Sequence, residues 1–112
     1  QAAVPALLAG WLVAVAVRLA TGSATVATIT AAGIMAPLVT HMPQTEVALL
    51  VLAIGAGSVF LSHVNDAGFW LVKEYFGMTV GQTFKTWSLM ETILSVVAMA
   101  TVSLLALALG VL

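Results

Sequence analysis

Four polar residues crowd into five positions at "SHVND", Ser62 to Asp66, in a chain of 112 residues with only three Lys/Arg and four Asp/Glu. An imidazole close to a carboxylate can take up and release a proton, and a carboxamide between them offers both a donor and an acceptor to a polar solute. His63 and Asp66 are therefore candidates for carrying a proton, and Asn65 for binding a solute. The plainer reading has Asn65 or Asp66 capping a helix that begins at Ala67, with His63 as a wet interfacial residue. The density of polar groups exceeds what one cap needs, and Ala67-Gly68 permits close approach of another backbone.

A second constellation is "TGSAT", Thr21 to Thr25. Gly22 can adopt turn conformations and Ser23 is a good N-cap, so a helix starting here would present free N–H groups and its positive dipole end. That arrangement suits an anion such as a carboxylate, and the hydroxyls of Thr25 and Thr28 lie on one face of the same helix. Gly22, Ser23 and Thr25 are thus candidates for anion binding. The alternative is a capped turn with threonines bonded to their own backbone. Arg18, the one charge in the first 40 residues, sits a turn earlier. Deep in an apolar environment it would fork onto a substrate carboxylate or onto a protein acid such as Asp66. At a surface it would be an ordinary anchor.

The elements that must position these residues are hydrophobic helices. The chain is 62% hydrophobic and 6% charged with a mean hydropathy of +1.20, against about 45–50% apolar and about 25% charged for a soluble domain. It reads as an integral membrane protein. A net charge of -1 offers no basic field to nucleic acid, and the absence of cysteine excludes disulfides and thiolate chemistry. His41 and His63 lie in different segments, no nucleophile–base spacing stands out, and neither an enzyme nor a metal or cofactor site is indicated. Gln1 leads straight into an apolar segment, which suggests a portion of a longer protein.

Thr92–Leu112 is apolar and uncharged, and at 1.5 Å per residue it spans roughly 31 Å, enough to cross a bilayer core of about 30 Å. Val4–Ala20 and Ser23–Val39 each just reach across, and Glu46–Leu61 is slightly short. Two geometries follow. Either four full helices cross with polar loops outside, or residues 4–40 form a re-entrant hairpin with its tip at 21–25 and residues 46–76 form one crossing broken at 62–66. Interrupted segments of the second kind build midplane sites in transporters. Residues 77–86 would be an interfacial connection and 87–112 a final transmembrane helix. Lys73, Lys85, Trp70, Tyr75 and Trp87 resemble interface residues, which places that side in the cytoplasm and Leu112 outside. Glu91 suits the start of the last helix, where a carboxylate favours the dipole. Small pairs four apart (Ala27/Ala31, Ala32/Ala36, Ala53/Gly57) allow close helix packing.

"GSATVA" (22–27), "AIGAGS" (53–58), "SHVNDAGFWLVKEYFG" (62–77), "TFKTWS" (83–88) and "MET" (90–92) together resemble the gluconate permease family, in the order of its carboxy-terminal portion. The long central run is the specific signature. The resemblance implies an inner-membrane, multi-pass secondary transporter, a proton symporter for gluconate or another small hydroxy acid. It also implies membership of the ion transporter superfamily, with two inverted halves that each carry a re-entrant hairpin and a broken helix. That favours the second geometry, with Gly22, Ser23 and Thr25 at the hairpin tip and Ser62 to Asp66 at the break. The implied fold class is an all-α membrane protein, the second part of an inverted-repeat transporter. Implied partners are a gluconate-like carboxylate, protons, the lipid bilayer and the first half of the same protein, with a homo-oligomer as one assembly option. The rival function is a non-transporting membrane assembly subunit, in which the polar residues at 62–66 face water outside the bilayer.

Overall fold

The computed structural model describes residues 3–110, whose regular elements are all helices with no strand among them. Helix α1 spans Ala3–Thr21, α2 Ala24–Val39, α3 Gln44–Gly57 and α4 Ala67–Tyr75. A further helical run extends from Val80 to Ala108. It comprises α5 (Val80–Thr83), a π-helical turn over Phe84–Ser88 and α6 (Leu89–Ala108).

Lengths divide these elements. The Val80–Ala108 run has 29 residues and is, among the described residues, the one helix long and apolar enough to cross a membrane, rising roughly 43 Å. The other apolar helices, Pro5–Thr21, Ala24–Val39 and Gln44–Gly57, are shorter. Helices α1 and α2 are joined by two non-helical residues, Gly22 and Ser23, and pack on one another as a hairpin. Thr79 opens the long run with a capping box, its hydroxyl accepting from Gln82 N and its own N–H donating to the Gln82 side chain. Helix formation therefore begins at Val80, inside the stretch 77–86 expected as an interfacial connection. The expected final span reaches Leu112, and its last two residues lie outside the described ones.

The core forms where α1 crosses α3 and α6. Leu7, Ala14, Leu49, Leu50, Ala53, Ile54, Met99, Val102 and Ala106 are buried there, joined by Ala31 and Met35 of α2. Close backbone approach substitutes for side-chain bulk, as expected of helices packed in lipid. A Cβ on Gly57 would meet the Trp11 carbonyl oxygen at 2.5 Å, so α3 lies directly against α1 at that level. Of the expected small pairs, Ala27/Ala31 and the neighbouring Ala53/Gly57 are buried, whereas Ala32 and Ala36 are exposed. The buried stripe of α2 is Ala27, Ala31 and Met35, and residues one position later point about 100° away from it. Polar groups are stitched into the same core. Trp11 Nε1 donates to Ser95 Oγ at 3.1 Å, and Ser95 Oγ donates to the Ala56 carbonyl at 2.6 Å.

Candidate functional site

Among the described residues the chain leaves helical geometry at four places, and the structure brings two of them together, 22–23 and 58–66. The first is local. Gly22 adopts φ +72°, a left-handed conformation that only glycine reaches at little cost. Thr21 Oγ1 donates back to the Val17 carbonyl and accepts from Ser23 N. Ser23, extended at φ -124° and ψ 121°, caps α2 by accepting from Val26 N at 3.0 Å. The "TGS" triplet thus ends one helix and begins the next by itself.

The second break runs from Ser58 through Asp66, longer than the expected 62–66. Helix α3 is terminated early by Ser58, whose hydroxyl donates to the Gly55 carbonyl at 2.6 Å, and Leu61 sits at φ 44°. A non-glycine residue in the left-handed region is held there by its surroundings. At the far end Asp66 caps α4, accepting from Gly68 N at 2.9 Å.

Arg18 ties the two breaks together. It is 3% exposed, and its guanidinium donates in four directions. Nη1 reaches the Gly22 carbonyl at 3.1 Å and Nε the Phe60 carbonyl at 3.3 Å. Nη2 is shared between Asp66 Oδ2 at 2.9 Å and Glu91 Oε1 at 3.2 Å. The rigid fork of arginine makes this possible where a lysine point charge could not. Arg18 thus meets protein acids, one of the partners expected for it.

The remaining bonds run along the interface of the breaks. His63 Nε2 lies 3.1 Å from the Leu19 carbonyl, so that nitrogen carries the proton. Asn65 Nδ2 donates to the same carbonyl at 3.0 Å and to Ala20 O at 3.4 Å. Both side chains therefore satisfy carbonyls at the end of α1 that helix termination leaves free. The packing is tight enough that a Cβ on Gly22 would lie 2.1 Å from the Asn65 carbonyl oxygen. Ser62 is fully buried. Its hydroxyl donates to Asp66 Oδ2 and accepts from Trp87 Nε1 at 3.1 Å, while Ser88 Oγ donates to the Ser62 carbonyl.

Of the residues singled out by sequence, Arg18, Gly22, His63, Asn65 and Asp66 converge here, with Ser23 at their edge. Thr25 is exposed on the first turn of α2, just beyond them. Sequence reasoning gave no binding or proton role to Ser62, Trp87, Ser88 or Glu91. It counted Ser62 only among the polar residues of the break and read Trp87 as an interface residue. Glu91 was read as a helix-start carboxylate, but the helix continues upstream through the π turn, where Leu89 N still bonds the Phe84 carbonyl. No free helix end exists at Glu91 to attract it. A π turn shifts the register of the residues that follow and recurs near functional sites. Here it carries Trp87 and Ser88, which both meet Ser62, and Glu91 lies on the next turn.

Comparison with known proteins agrees with the motif resemblance. The model of the GntP family permeases matches residues 1–108. A gluconate permease of Pseudomonas aeruginosa is 61% identical over 97% of this chain and 24% of its own length. A gluconate permease of Bacillus subtilis is 52% identical over 92% of this chain and 22% of its own. The Gnt-II system L-idonate transporter of Escherichia coli is 54% identical over 83% and 21% respectively. The chain thus spans less than a quarter of the length of these curated relatives. No solved structure matches it. A lipid-suited helical chain with paired helix breaks, matched across nearly all its residues, belongs to the GntP permease family.

Proposed function

We propose that the full-length protein is a secondary transporter of the bacterial inner membrane that carries gluconate or a related sugar acid together with protons. The observation that carries this reading is the 61% identity to a gluconate permease across 97% of the chain. L-idonate is a second substrate of the same chemical class, favoured by the 54% identity to a transporter named for it.

The mechanism is alternating access around a midplane site to which the α1–α2 hairpin, re-entrant in the bilayer, and the broken α3–α4 pair each contribute a helix end. The first N–H groups of α2 have no intrahelical partner and lie at the positive end of its dipole, so the substrate carboxylate sits at Gly22–Thr25. Substrate hydroxyls meet Ser23, Thr25 and Asn65. Ser23 keeps its O–H free to donate while its lone pair serves Val26 N, and the exposed Asn65 keeps a carbonyl acceptor. Arg18 lies behind the turn with its fork occupied, and holds the turn against the break rather than contacting the substrate. The coupling proton belongs to the cluster around Asp66 and His63.

Uptake by the full-length permease, competed by a panel of sugar acids, tests the substrate class. Asp66→Asn tests the cluster: pH-driven uptake is lost while substrate exchange partly survives. Undiminished pH-driven uptake in that variant overturns the assignment.

A further inference from the structure

We infer that Glu91 is the group that takes up the coupling proton, because it is the loosely held member of two carboxylates that share one guanidinium. The inference rests on the symporter reading above and goes beyond it by naming the proton's resting place.

The charge count sets the problem. Arg18 faces Asp66 and Glu91 through a single nitrogen, with side-chain exposures of 4% for Arg18, 15% for Asp66 and 14% for Glu91. One cation cannot balance two carboxylates, so the cluster carries a surplus negative charge in a place where charge is expensive. A proton removes that surplus, and the pair of acids binds it as a unit.

The hydrogen bonds decide which acid receives it. Asp66 accepts from Arg18 and Ser62 on Oδ2 and from Gly68 N on Oδ1. Three donors aimed at one carboxylate stabilise its ionised form. Protonating Asp66 would also remove the charge that strengthens its bond to Gly68 N at the cap of α4. Glu91 accepts only the longer bond from Arg18, at 3.2 Å. The charged groups that surround Glu91 are Arg18 from α1 and Asp66 from the break. His63 is engaged at the Leu19 carbonyl, and Lys73 pairs with Glu74. Protonated Glu91 leaves an intact, neutral Arg18–Asp66 pair that still bonds Gly22 O and Phe60 O.

Position gives the proton mechanical consequence. Glu91 stands on the one helix among the described residues that is long and apolar enough to cross the membrane, while Arg18 and Asp66 belong to the hairpin and the break. Loss of the charge on Glu91 dissolves the ionic link between these bodies. A substrate anion arriving at the adjacent hairpin turn adds a second negative charge beside the cluster and so favours protonation of Glu91. That is the linkage a symporter needs.

The test uses the full-length permease in vesicles with a pH gradient imposed. One coupled proton gives about tenfold accumulation for each pH unit. In Glu91→Gln, accumulation falls to equal concentrations inside and out, while exchange of substrate for substrate persists. Continued gradient-driven accumulation overturns the inference, as does loss of exchange in a variant present in the membrane at normal amounts. If Glu91→Gln does not reach the membrane, Glu91→Asp decides, since a shorter carboxylate moves the pH midpoint of uptake and an unmoved midpoint is the contrary result. Failure of the wild-type vesicles to take up any sugar acid would instead defeat the symporter reading.

Discussion

The two helix breaks solve one problem in opposite ways. Between α1 and α2 the chain leaves helical geometry for two residues, where a glycine and short side chains make the turn and cap α2, while Arg18, His63 and Asn65 meet the carbonyls left free there. Between α3 and α4 it stays out for nine residues, 58 to 66, and depends on donors from elsewhere. Arg18 reaches in from α1, while Trp87 and Ser88 reach in from the π turn. Non-helical backbone in a membrane must be satisfied by protein or water. The turn of a short break can be written locally, whereas a long one takes its shape from its neighbours.

The sharpest way to break the comparison is to remove what both regions share. Arg18→Gln strips the Phe60 and Gly22 carbonyls of a donor and leaves Asp66 and Glu91 facing each other without a cation. Breaking a buried pair by removing one partner costs about 3–5 kcal/mol. We expect a large fall in the thermal stability of the purified permease in detergent, together with loss of uptake. A variant that kept wild-type stability would show that the long break is self-supporting after all.

Gly22→Ala is expected to be the next largest in effect. It places a side chain at φ +72°, which costs about 1–2 kcal/mol in itself. The added Cβ also meets the Asn65 carbonyl, a backbone group that cannot swing away, at 2.1 Å. The two breaks must then separate, releasing the bonds of His63 and Asn65 to the end of α1. Stability should drop by more than the conformational cost alone, and double-mutant cycles with Asn65→Ala should show coupling. Additivity would mean the breaks are neighbours without being partners.

The same contrast explains what was legible beforehand. "TGS" and "ND" announce themselves because capping and left-handed turns are properties of three or four consecutive residues. The early end of α3 was hidden, since "GSVFL" is apolar and nothing in it marks Ser58 as the last turn. That end exists because Ser95 from α6 bonds the Ala56 carbonyl and Arg18 the Phe60 carbonyl. Glu91 was misplaced for a related reason. Its position relative to the cluster depends on a helix that continues upstream to Val80 and on a π turn that resets its face. Neither property follows from local propensity. Sequence could place Arg18 near the TGS turn, but only the packed structure divides its guanidinium between two acids.

The smallest expected effect separates the structural use of the short break from its proposed use in binding. Ser23→Ala deletes the cap on Val26 N, at a cost of about 1 kcal/mol, and also removes a hydroxyl from the expected substrate site. Stability and apparent affinity should both decline modestly, so this variant by itself cannot tell the two roles apart. Ser23→Asp can. Aspartate is as good an N-cap as serine and its charge suits the helix dipole, so the thermal stability lost in Ser23→Ala should return. That same carboxylate would occupy the positive helix end and repel an incoming sugar acid, so uptake should fall well below that of Ser23→Ala. A stable Ser23→Asp permease with normal uptake would place the substrate anion away from this turn, and would leave the short break a purely architectural device.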